Sequence, residues 1–153
     1  MAVERIKLAA AQIPVLDLKP SARLVKALDE SPSIDPGEGL LFGVLAEHPA
    51  DLLSTCDRRS LIALCKTAEL SHVRAAVAGR VISRESVVRK LADTLTLAEV
   101  AAGLREVAPN DNFVRSAFSS HMVAHPEELK SALDSYVRDL TNELGTDFLY
   151  PLS

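Results

Sequence analysis

Near the C-terminal end, Leu129, Leu133, Tyr136, Val137, Leu140 and Leu144 recur at spacings of three and four, and Gly145 follows directly. That period lays one apolar stripe along one face of an α-helix, and glycine readily adopts the left-handed conformation that ends a helix. Nowhere does a strictly alternating apolar and polar run extend beyond a few positions, so half-buried strands have no competing signal. Tyr, Phe and Trp make up only 4% of the chain, while Ala, Leu, Val, Glu, Lys and Arg are plentiful. The expected class is all-α, a compact bundle of paired helices with an N-terminal helical arm.

Capping chemistry places the helix borders, because the first four N–H groups of a helix need partners from outside it. In "LTLAEV", Thr96 and Glu99 are spaced to bond each other's backbone N–H, and Leu95 and Val100 occupy the two staple positions, so a helix should begin at Leu97. "EHPADLLSTC" (47–56) and "AHPEELKSAL" (124–133) share His-Pro, an acid three residues after the His, Leu at four and Ser at six. Pro49 and Pro126 suit a first helical position, and Asp51 and Glu128 put negative charge at the positive end of the dipole, so both stretches are expected to start helices. Pro14 and Pro20 divide the start of the chain into two short helices. "SPSIDPGEG" is the one concentrated breaker segment. It sets the expected organisation: an N-terminal arm over 1–30, a linker over 31–39, a main helical domain over 40–145 and an apolar tail over 146–153.

With 153 residues, 48% of them hydrophobic, the chain can bury one core. The longest apolar stretches, 8–13 and 40–46, fall far short of the ~20 residues that cross a bilayer, and the first residues lack a leader's cleavage site. No membrane contact and a cytoplasmic location are expected. Cys56 and Cys65, nine positions apart in an apparently helical region, are expected as buried thiols.

Charge is segregated although the total is only −4. Residues 57–91 carry eight basic side chains (Arg58, Arg59, Lys66, Arg74, Arg80, Arg84, Arg89 and Lys90) against Asp57, Glu69 and Glu85, a net +5. The flanking segments are acidic, −3 over 1–56 and −6 over 92–153. The basic middle either pairs with acidic helices of the same fold or a neighbouring subunit, or contacts nucleic acid.

Two resemblances meet in this segment. "HVRAAVAGRVISRESVVRKLAD", 72–93, resembles one unit of leucine-rich-variant and HEAT-like helical repeat proteins, which implies a HEAT-like or irregular helical stack. In that alignment Val73, Ala76 and Val77 pack from a first helix and Val87, Val88 and Leu91 from a second. Ser83 is its N-cap, and Ile82 and Val87 its staple, so the helix should run to about Ala92. "ISRESVVRKL" also resembles the second helix of a helix-turn-helix, which implies major-groove contacts from Ser83, Arg84, Ser86, Arg89 and Lys90. The glycine usual in that turn is replaced by Val81, and Gly79 stands two places early.

Catalytic arrangements are poorly represented. His121 and His125, four apart beside Glu127 and Glu128, lack an HExxH pattern; neither cysteine has a CxxC partner; and Cys56 and His48 would stand more than two turns apart on a helix. Gly37 and Gly39 lie in an acidic "DPGEG" setting that repels phosphate. No metal, cofactor or enzymatic activity is expected. The expectation is a protein-interaction module, an adaptor or assembly subunit, with a nucleic-acid-binding protein centred on 72–91 as the alternative. Its expected contact residues are Arg74, Arg80, Arg84, Arg89, Lys90, Phe148, Leu149 and Tyr150. The tail adds Leu152, and the arm carries Val3, Ile6, Leu8, Ile13, Val15 and Leu16, so both ends should either cover the body or join a second chain, including a copy of this one.

Overall fold

A computed structural model describes residues 19–105 and 126–152. The expectations placed on residues 1–18, including the first arm helix, and on His121 and His125 lie outside the described residues. The elements run α1 (Ala22–Asp29), α2 (Pro36–Glu47), β1 (Leu53–Thr55), α3 (Arg58–Lys66), a 3-10 turn (Ala68–Leu70), α4 (Ser71–Val77), β2 (Val81–Ser83), α5 (Arg84–Thr94), α6 (Leu97–Arg105) and α7 (Pro126–Leu144). The fold is mostly helical, as expected, but carries one short parallel sheet.

Several borders follow the capping logic. Ser83 accepts from the Ser86 amide at 3.1 Å and opens α5, and Thr96 and Glu99 close their reciprocal pair at 2.9 and 3.3 Å ahead of α6. Val100 is buried while Leu95 remains 47% exposed. Ser83→Ala should cost on the order of 1 kcal/mol in a urea titration, through loss of the cap.

Other borders differ from expectation. Pro49 does not start a helix: Asp51 donates to the His48 carbonyl at 3.1 Å, so Pro49 takes the second position of a β-turn, where its fixed φ serves equally well. The next helix starts nine residues later, capped by Asp57, which accepts from the Ser60 amide. Cys56 lies in the exposed link between β1 and α3, not in a helix.

The expected linker over 31–39 is part of the folded body. Asp35 accepts from the Glu38 amide at 2.9 Å and Pro36 occupies the first turn of α2, so the residues that break a helix here begin one. Ile34 is 5% exposed and shares a core with Leu28 of α1, Phe42 of α2, Leu61 and Leu64 of α3, and Val73 and Val77 of α4. A smaller core joins Val88 and Ala92 of α5 to Val100 and Ala101 of α6. α7 connects the two: Leu133 belongs to the second, Leu140 and Leu144 to the first.

The strands pair in parallel, Leu53 with Val81, Ser54 with Ile82 and Thr55 with Ser83, and Leu149 forms a parallel bridge to Val81. Gly79, at φ +72°, turns the chain out of α4 in a conformation that costs other residues energy. Val81 thereby enters extended backbone, which suits a β-branched side chain. The inward stripe of α5 is Glu85, Val88 and Ala92; Leu91 is 41% exposed and Ala76 of α4 is also exposed, contrary to the packing expected of both.

Candidate interaction surfaces

Five of the six arginines of the basic middle are turned to acceptors within the chain. Arg74 donates to the Leu144 carbonyl at 3.2 Å, reaches Asp147 at 3.4 Å and lies 5.9 Å from the centre of the Phe148 ring, so one guanidinium closes the end of α7 and the turn after it. Gly145, at φ +102°, makes room: a Cβ there would stand 2.8 Å from Nη2 of Arg74. Arg80 donates to the His48 carbonyl at 2.8 Å and to that of Ala76, tying the β-turn to α4. Arg58 pairs with Glu143 at 2.9 Å. Arg84 stands 3.7 Å from Glu85, whose side chain is 4% exposed. Arg89 bridges Asp93 on its own helix at 2.6 Å and Asp134 on α7, and Lys130 reaches Asp93 at 3.4 Å. The two aspartates favour the charged guanidinium and raise the Arg89 pKa further.

The tail folds back. Gly79 donates to the Phe148 carbonyl at 2.8 Å and Tyr150 to the Val81 carbonyl at 2.7 Å, and Phe148 is fully buried in the larger core. Phe148 therefore cannot serve as the exposed contact expected of it. Leu149 is half-buried, and Tyr150 is 36% exposed.

Four of the expected residues do converge. Arg89, Lys90, Leu149 and Tyr150 line a hollow of about 250 Å³ between α5, α7 and the tail, together with Asp93 and Thr141. Arg84 lies apart, on a hollow of about 320 Å³ shared with Cys56 and Val87. Arg74 and Arg80 line neither. The chemistry of the first hollow is mixed, with a carboxylate beside its cations, so it has no strong preference for an anion.

Sequence reasoning missed two features. Large apolar side chains stay at the surface on α2 (Leu40, 46% exposed; Leu41, 44%), at Leu52 (50%) and along the end of α5 (Leu91 and Leu95). The second is the outer face of α3, where Arg58, Arg59, Ile62, Ala63 and Lys66, with Ser33 from the α1–α2 corner, line a hollow of about 500 Å³ with no carboxylate among the described residues of its wall. Arg59 and Lys66 are exposed and form no side-chain ion pair among the described residues. The spacing 59, 62, 63, 66 is a helical stripe already present in the sequence, but Arg59 and Lys66 enter there only as two charges of the basic middle.

Burial pushes the Cys65 thiol above its usual range despite the nearby Arg74, which leaves little thiolate to react. Burial also raises the Glu38 carboxyl, against the hydrogen bond from the Thr55 hydroxyl at 3.1 Å and with help from Asp57 and Asp35. Among the described residues no group of three or more His, Cys, Asp or Glu side chains could hold a metal ion, and no helix is long and apolar enough to cross a membrane. No protein-family model, curated protein or solved structure matches this chain.

Proposed function

We propose that this chain is a non-enzymatic protein-interaction module, an adaptor or a subunit of an assembly, that docks its partners through exposed helix faces. One observation carries the reading: Arg58, Arg74, Arg80, Arg84 and Arg89 all hold acceptors of their own chain, so the basic middle presents far less free charge than its composition implies. The surface keeps apolar residues instead, among them Leu91 near the end of α5 and Leu95 at its C-cap. The parallel register of β1 and β2 supports a stack of paired-helix units in the manner of helical repeats, since equivalent segments between helices lie side by side. Free thiols at Cys56 and Cys65 accord with a reducing, cytoplasmic setting.

The test is position-specific photo-crosslinking in cells that express the full chain. A crosslinking amino acid at Leu41 or Leu91 should give a discrete protein adduct, and the same group at exposed Glu69 should give none. Adducts that are nucleic acid, or that form equally from all three positions, would refute the module.

A further inference from the structure

The outer face of α3 combines an apolar centre with a positive rim. Ile62 and Ala63 are half-buried, and Arg59 and Lys66 stand at the two ends of the stripe, at i and i+7 around i+3 and i+4. That is the spacing by which one helix receives another, with aliphatic arginine and lysine stems widening the apolar floor. The Asp57 carboxylate, two positions before Arg59, feels the charge of that arginine. Burial opposes its charge, but the Ser60 hydroxyl and amide, with Arg59, hold it ionised below the usual range, and its oxygens are engaged in capping α3. Arg58 is turned toward Glu143 at 2.9 Å. Two cations therefore remain at the rim of a hollow of about 500 Å³ whose described lining residues include no carboxylate. A basic or neutral helix would leave them uncompensated.

We propose that this face, formed by Arg59, Ile62, Ala63 and Lys66, is the docking site for an acidic amphipathic helix of a partner protein. A leucine-type side chain of that helix fills the hollow over Ile62 and Ala63, and flanking carboxylates meet Arg59 and Lys66. The assignment rests on the reading of the chain as a protein-interaction module and names the chemistry of one partner.

Two labelled synthetic helices test it against the full chain by fluorescence anisotropy: one with leucines at i, i+3, i+4 and i+7 flanked by glutamates, the other with lysines in place of the glutamates. The glutamate helix should bind, weaken with added salt, and lose about tenfold or more in affinity to the Arg59→Glu, Lys66→Glu protein. Arg59→Gln, Lys66→Gln should fall between, with the circular dichroism and melting of both variants unchanged. The lysine helix should not bind. Failure of the glutamate helix to bind, or equal binding by wild type and the reversed protein, overturns the proposal. So does displacement of the helix by short duplex DNA, or self-association of the chain that the same substitutions abolish, which would give the face to a second copy. If the crosslinks from Leu41 and Leu91 form while the glutamate helix fails, the assignment to α3 falls and the module stands. If the crosslinks fail as well, both fall.

Discussion

Phe148→Ala should lower the unfolding free energy by about 3–5 kcal/mol, a large share of the ~5–15 kcal/mol available to a domain of this kind. The ring is fully buried among residues from both ends of the described chain, including Leu28, Val81 and Leu140. Truncation also removes the stacking partner of Arg74 and loosens the turn that carries the Phe148 carbonyl to Gly79. A urea titration of full-length wild type and variant checks it. A loss under about 1 kcal/mol would mean that the tail is not part of the core. A chain ending at Gly145 should lose more, since it also gives up the bridge of Leu149 to Val81.

The second large effect is expected from Arg84→Glu combined with Arg89→Glu. Read from the sequence, these look like surface charges whose reversal would spare the fold. The structure gives the opposite expectation. Reversal at position 84 sets a second carboxylate beside Glu85, which is 3% exposed, and reversal at 89 sets one between Asp93 and Asp134. Removing the partner of a mostly buried charge costs about 2–4 kcal/mol, somewhat below a fully buried pair because Arg84 keeps partial contact with water. Repulsion along the α5–α7 contact adds to that. The double variant should melt well below wild type, and unchanged thermal unfolding would show that these pairs contribute little to folding.

What could be read from the sequence was what local chemistry decides. The Ser83 and Thr96 caps, the start of α7 at Pro126 and its stop at Gly145 all appear as expected. What escaped depended on distant parts of the chain. β1 and β2 are three residues each, too short for alternation to show, and exist because segments 28 positions apart pair in parallel. Pro36 and Gly37 read as a linker because helix breakers and helix starters share residue types, and the Asp35 cap with the burial of Ile34 separates the two cases. On α5 the charged Glu85 faces inward and Leu91 outward, the reverse of what residue type alone implies. Charge and apolarity mark a contact residue in a sequence, and they are also the properties by which Arg74 and Phe148 hold each other in place.

On the proposed reading, the arginine-rich middle of the chain serves its own fold and not a nucleic acid. Titrating labelled duplex DNA with the full-length protein at about 0.15 M salt tests that most directly. No saturable binding in the micromolar range is expected. Binding tighter than ~1 μM that falls steeply with added salt, and that weakens on Arg59→Gln, Lys66→Gln or Lys90→Gln substitution without loss of fold, would contradict it.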